Sequence, residues 1–261
     1  LEKLNVTFLD YPKLIRLNPN VPWKTRGNGA LSLYFEYDLK NEEKIKKIVI
    51  DLIEKYSDLD CKGTDPGVVF LKTSKVPQEI TDFAKNALNN IVTVEKAIEL
   101  INKYDGEVFT YNTEQGVVGA LSAIGELLTF DYTYELIAYR KESNFGTKRQ
   151  VDEKSIFEMD QKLQPYVFNN VDLEKNRVII TPRGPDPILF GVRGETAQIV
   201  REAFSLIKPL EPIERWTIFR SNQGTDMHLK EEKTLSEIKP FESVIVKGVV
   251  SKNPQIVPVR H

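Results

Sequence analysis

From about residue 130 the apolar residues follow a rhythm that few folds satisfy. Strand patterning covers Thr133 to Tyr139, helical spacing Asp152 to Leu163, strand patterning Arg177 to Thr181 and Ile188 to Val192, helical spacing Glu195 to Ile207, and strand patterning Arg215 to Arg220. The order β-α-β-β-α-β predicts a ferredoxin-like domain, a sheet covered by its own helices.

The residues ahead of it alternate between strand and helix signals as well. Leu31, Leu33, Phe35 and Tyr37 repeat every second residue, as in a half-buried strand. Ile45, Ile48, Val49, Leu52, Ile53 and Tyr56 then recur at three and four, a helix that Asn41 can cap. Asp65-Pro66-Gly67 is a turn signal before a buried strand at Val68 to Leu71. Pro77 suits a first helical turn before the stripe Ile80, Phe83, Ala84, Ala87 and Leu88, and Val94, Ala97, Ile98, Ile101 and Tyr104 make another. Gly116 to Leu128, GVVGALSAIGELL, is apolar nearly all round and predicts a helix buried on most sides. With 261 residues, 41% hydrophobic and 28% charged, the chain can build two globular domains, so the expected fold class is α+β (α/β). LEKLNVTFLDYPKLIRL reads as a helix tail running into a strand, and Phe241 to Val250 as a strand without a partner, which predicts a fragment.

A formal net charge of -2 gives no general attraction for polyanions, so a nucleic-acid site has to be a local patch. Cys61 is the one cysteine, which excludes an intramolecular disulfide and a Cys-rich zinc site. No apolar run reaches the ~18 residues of a membrane span, and the start lacks the order of a signal peptide. The expected location is the cytoplasm.

Several loops carry candidate chemistry. Pro22 to Gly29, PWKTRGNG, combines the cations Lys24 and Arg26 with Gly27, Asn28 and Gly29, whose backbone freedom suits a phosphate cradle, and with Trp23, which can stack on a base. A plain turn before a strand explains the same glycines. Gly116 opens a helix whose free N–H groups suit an anion, although tight packing also calls for glycine there. Thr181 to Pro187 is a proline-stiffened loop, and Arg193 beyond it can hold a phosphate or pair with a carboxylate. The segment from Phe219 to His228 ends a strand in a dense polar cluster. Asp65, Asp131, Asp152, Asp160 and Asp172 are each possible Mg²⁺ ligands or helix caps, and the sequence does not choose among them.

Taken together these loops resemble the archaeal 2-agmatinylcytidine synthetase family, TiaS. The resemblance rests on LIRLNPNVPWKTRGNGA at Leu14 to Ala30, PGVVF at Pro66 to Phe70, GVVGAL at Gly116 to Leu121, ELIAYR at Glu135 to Arg140, FGT at Phe145 to Thr147, GVRGE at Gly191 to Glu195 and TDMHL at Thr225 to Leu229, all in the family's order. It implies an ATP-dependent ligase that joins agmatine to C2 of the anticodon wobble cytidine of a minor isoleucine tRNA, through a cytidine whose C2 oxygen has been phosphorylated. ATP and Mg²⁺ are the implied cofactors, and isoleucine tRNA and agmatine the implied partners.

The implied organisation is a kinase-like domain over 1–128, a ferredoxin-like domain over 129–227, and a linker with the start of an OB-fold over 228–261. Lys24, Arg26, Gly27, Asn28 and Gly116 are the expected ATP and phosphate contacts. Arg16, Trp23, Arg140, Arg193, Arg220, Asn222, Asp226 and His228 are the expected substrate and tRNA contacts. The family's Asp-rich ATP and Mg²⁺ motif does not precede Leu1, so the catalytic residues stay unassigned, and most of the OB-fold and the zinc ribbon lie beyond the sequence. A non-catalytic or truncated relative that binds RNA or nucleotide is the alternative, and a small-molecule kinase unrelated to tRNA is a third reading.

Overall fold

The computed structural model describes residues 1–22, 24, 28–184, 187–227, 229, 232–240, 242 and 244–253. Its strands are β1 (Thr7–Phe8), β2 (Lys13–Arg16), β3 (Gly29–Ser32), β4 (Phe35–Glu36), β5 (Gly67–Phe70), β6 (Glu107–Thr110), β7 (Thr133–Arg140), β8 (Val171–Asp172), β9 (Arg177–Val178), β10 (Ile188–Gly194) and β11 (Ile213–Ser221). Its helices are α1 (Glu42–Tyr56), α2 (Gln78–Asn89), α3 (Val94–Lys103), α4 (Gly116–Gly125), α5 (Glu153–Leu163) and α6 (Ala197–Leu206).

The main sheet has five strands in the order β10-β7-β11-β2-β3. Side chains alternate across it. Ala138, Phe190 and Val192 meet Ile156, Met159 and Ala203 of α5 and α6 in the largest core of this half. Ile137, Leu14 and Phe219 form a smaller cluster on the other face. Helix starts follow sequence chemistry: Asp152 accepts from the Lys154 N–H before α5, and Thr196 accepts from the Ile199 N–H before α6.

Two sequence expectations need correction here. The strand expected at Arg177 to Thr181 shrinks to β9, paired with β8 in a separate hairpin. Asn176, with a φ of 44°, closes the turn of that hairpin, and beyond Val178 the Ile179 N–H goes to the Asn170 carbonyl while the Ile180 carbonyl accepts from the Gly191 N–H without joining the ladder. The fourth and fifth places in the sheet go to β2 and β3 from the beginning of the chain. β2 lies parallel to β11, with Lys13 opposite Arg220, and antiparallel to β3.

In the first half, α2, α3 and α4 pack into one core with Ile80, Phe83, Ala97, Ile101, Val117 and Leu121. Full burial of a side chain such as Leu121 contributes ~1.5–3 kcal/mol relative to exposure. The opposite side of α4 carries Ala123, which packs with Ile15 and Leu128 beneath the main sheet. An all-round apolar helix is thereby placed between two layers, as its sequence requires. It stops at Gly125, before the expected Leu128, whose φ is 53°.

Asn41 does not cap α1 with its side chain, because its amide donates to the Leu4 carbonyl. The strand expected from Leu31 to Tyr37 is split into β3 and β4, and β4 pairs with β1. Within the described part of Phe241 to Val250 no named strand forms. Ile245 makes one isolated parallel bridge to Glu232, and Phe241 itself lies outside the described residues.

Candidate functional site

Arg16, Arg193 and Asn222, separated by up to 206 positions in the sequence, converge at one end of the main sheet. Asn222 grips the end of β2 with its side-chain amide: its Oδ1 accepts from the Arg16 N–H at 2.8 Å, and its Nδ2 donates to the Arg16 carbonyl at 2.9 Å. Asn170, which is fully buried, holds Arg193 in the same manner, accepting from its N–H at 3.1 Å and donating to its carbonyl at 3.3 Å. Between the two guanidinium groups stands Glu135 of β7. Arg16 Nη2 lies 3.5 Å from its Oε2 and Arg193 Nε 3.6 Å from its Oε1. Both contacts are longer than the ~2.7–2.9 Å of a strong charge-assisted hydrogen bond. Neighbouring Glu195 is buried and accepts from the Thr225 hydroxyl at 2.7 Å.

The second concentration of candidates lines a cleft of ≈ 1390 Å³ that includes Lys24, Asn28, Gly116 and the Asp65-Pro66-Gly67 turn. The β2–β3 hairpin holds one wall of it. Leu17 donates its N–H to the Asn28 carbonyl at 2.8 Å, and the Asn28 amide donates to the carbonyl of buried Asn18, with Asn28 at a φ of 27°. Asn28 therefore shapes the loop. Lys24 is exposed at the cleft and free to reach an anion. Lys13 also lines the cleft. Burial pushes its ammonium below the ordinary lysine range, while Asp10 and Glu126 pull it back up, and its Nζ donates to the Glu126 carbonyl at 2.8 Å.

Gly116 is explained by packing. A Cβ on it would run into the Asp65 carbonyl and the Gly67 amide. The start of α4 already has its own anion, since Asp65 Oδ2 accepts from the Gln115 N–H at 2.9 Å and from the Thr113 hydroxyl.

Other expected contacts have internal tasks. Arg140 is 1% exposed, and its guanidinium grips both oxygens of Glu211 at 2.6 and 2.9 Å and the Thr147 carbonyl at 2.9 Å. It has no surface to offer a ligand, which corrects its expected role in substrate binding. Arg220 is paired with Asp10, donates to the Leu128 carbonyl at 2.8 Å and stacks 4.3 Å over the Tyr132 ring. Asp226 sits at a φ of 66° and donates its N–H to Asp131. Trp23, Arg26, Gly27 and His228 lie outside the described residues.

The possible Mg²⁺ ligands are dispersed. Asp65 and Asp152 act as caps, Asp131 takes the Asp226 N–H, Asp172 is paired with Arg177, and burial raises the pKa of Asp160 inside α5. No group of three or more His, Cys, Asp or Glu that could hold a metal occurs among the described residues. Sequence reasoning missed Glu135 and Asn170. A lone acid inside the apolar strand TYELIAYR was the available signal for Glu135. Among the described residues no helix is long and apolar enough to cross a membrane.

The architecture defines an α+β protein whose mixed sheet, ferredoxin-like in its second half, is extended by two strands from the first half. Residues 1–113 match the model of the TiaS TCKD domain and residues 114–228 that of the TiaS FLD domain. The chain belongs to the TiaS family. It is 43% identical over 258 residues to the isoleucine-tRNA 2-agmatinylcytidine synthetase TiaS of Methanocaldococcus jannaschii, covering 97% of this chain and 60% of that protein. With the Pyrococcus horikoshii protein of the same name it shares 42% identity over 93% of this chain and 57% of the relative. The chain thus spans about 60% of the length of the curated relatives it matches. A crystal structure of a TiaS complex with isoleucine tRNA and ATP superposes with a TM-score of 0.79 at 38% identity, over 88% of this chain and 54% of that one. A TiaS complex with the same tRNA, AMPCPP and agmatine gives 0.75 at 36% identity, over 88% of this chain and 54% of that one.

Proposed function

We propose that the chain works in the ATP-dependent joining of agmatine to C2 of the wobble cytidine of a minor isoleucine tRNA. The observation that carries the reading is its likeness, at 38% identity and a TM-score of 0.79, to a TiaS held in complex with isoleucine tRNA and ATP. In this reading 1–128 form the kinase-like part, 129–227 the ferredoxin-like part, and 228–261 lead into an OB-fold.

The residues of the cleft fit a nucleoside triphosphate in kind: Lys24 supplies an exposed cation, and Asn28, tied to the Asn18 carbonyl, lines the cleft beside it. ATP, when bound, would supply the phosphoryl group that turns the C2 oxygen of cytidine into a leaving group. Arg16 and Arg193 would hold tRNA phosphate at the end of the sheet, with Asn222 and Asn170 fixing the backbone from which they project. Fixed cations aimed at phosphate stabilise charge without having to reorganise. Mg²⁺ enters only through the resemblance. The described acids are dispersed as caps and ion-pair partners and do not fit a metal centre, so no step is assigned to the ion. Action in the cytoplasm is part of the same reading.

That dispersal favours a second reading, a non-catalytic relative that binds RNA or nucleotide. One assay separates them. Labelled agmatine, ATP and a transcript of the minor isoleucine tRNA are incubated with this chain and with the product of its whole reading frame. Transfer of label to the tRNA supports the ligase, whereas tRNA binding without transfer by either protein supports the binding relative.

A further inference from the structure

We infer that Arg16 and Arg193 are a single receptor for one phosphate group, with Glu135 as the positioning residue that sets their spacing. The inference rests on the functional reading and makes one of its contacts specific.

Three observations carry it. First, both arginines are held by the backbone in the same way, each with its N–H and carbonyl closed by the side-chain amide of an asparagine, Asn222 for Arg16 and Asn170 for Arg193. A surface arginine that only decorates a strand has no need of such a grip. Second, the two cations share one carboxylate, and each is within 3.6 Å of a different oxygen of it. The Nε of each is buried without a hydrogen-bond partner, and the one hydrogen bond Glu135 takes from the pair is a long one of 3.5 Å from Arg16 Nη2, so Glu135 orients both forks without saturating them. Two guanidinium groups held together with one negative charge between them leave an excess positive charge, and their planar donors match the oxygens of a phosphate. Third, room for Glu135 has been cleared. A Cβ at Gly191 would lie 3.0 Å from its Oε1, closer than all but a few real contacts, and the carboxyl itself is 7% exposed. The guanidinium ends, with side chains 35% and 29% exposed, remain open to a ligand.

The ligand chemistry is a phosphate monoester or diester, from the tRNA backbone or from the nucleotide. The test follows arginine Nε–Hε resonances of the chain as inorganic phosphate is added. Arg16 and Arg193 are expected to shift on one binding curve, and Arg16→Ala or Arg193→Ala to weaken phosphate by about tenfold or more, since each removes a charged hydrogen bond. The double variant should be no weaker than the worse single one, the signature of a shared ligand. Glu135→Gln, which keeps size and folding, should split the common curve into two.

Competition then identifies the source. Displacement of phosphate by the isoleucine tRNA but not ATP assigns a phosphodiester, and the reverse assigns a nucleotide; either supports the receptor. Resonances that do not move, that move with separate affinities, or that stay on one curve in Glu135→Gln would overturn the inference. Phosphate bound on one curve yet displaced by neither ligand would leave the receptor standing and count against the functional reading instead.

Discussion

Gly67 and Gly116 stand backbone against backbone where β5 meets the start of α4, so that a Cβ on either would collide with the main chain of the other. Neither partner is a flexible side chain that could swing away. Gly116→Ala is therefore expected to lower stability by ~1–3 kcal/mol, the usual cost of overpacking. Gly119→Ala meets the Cδ1 tip of Leu17 at 3.1 Å and should cost less. Denaturant melts of the two variants check the order, and equal midpoints would contradict it.

Removing one member of the Arg140–Glu211 pair should be more damaging still. Both side chains are buried, and the survivor would be left charged without a partner, which costs ~3–5 kcal/mol. Arg140→Ala is expected to melt early while its folded fraction binds tRNA as before. A loss of affinity without a loss of stability would mean that Arg140 faces the ligand after all.

The same pair predicts a dependence on pH. Burial pushes the Glu211 carboxyl up, but hydrogen bonds from Arg140 and the Gln150 N–H outweigh it together and leave the pKa below the ordinary value. A carboxyl depressed in the folded state contributes stability above its unfolded pKa of ~4.3, and loses it as pH falls through the lower folded value. Acid melts of the parent should show a drop in that window, and Glu211→Gln should flatten it.

Asp65 supplies the anion at the start of α4 from a distant part of the chain. Its replacement by Ala should cost ~1 kcal/mol, as for an N-cap, and Asn should recover part of the loss. Thermal melts distinguish the two. Full recovery by Asn would mean that charge at the helix start contributes nothing.

Lys24 is exposed at the cleft, so Lys24→Ala should leave the melting curve unchanged and weaken phosphate-bearing ligands. If it touches tRNA, the slope of log affinity against log salt should fall by about 1. An unchanged slope and unchanged ATP affinity would remove it from the site.

Helices α2 and α3 were legible because period alone decides their buried face, whereas of the stripe expected on α1 Ile45 alone is buried, and Leu52 and Tyr56 are exposed. Ile80, Phe83, Ala84 and Ala87 line up on α2 and are all buried. The strand order was not legible. β2 pairs with β11 across roughly 200 residues, and no local pattern reports such a pairing. The strand expected at Arg177 was cut short for a local reason: beyond Val178 the Ile179 N–H goes to the Asn170 carbonyl instead of extending the ladder. At the site, cations could be picked out one by one, yet Arg16 and Arg140 looked alike in sequence. What separates them is the partner each meets in space: a loosely shared Glu135 for one, a fully engaged Glu211 for the other.

The most direct test of the functional reading is ATP-dependent transfer of labelled agmatine to a transcript of the minor isoleucine tRNA by the product of the whole reading frame, with a transcript carrying uridine at the wobble position as the control. The account predicts label on the cytidine transcript alone and none without ATP. Equal labelling of both transcripts, or none on either while tRNA and ATP still bind, would contradict it.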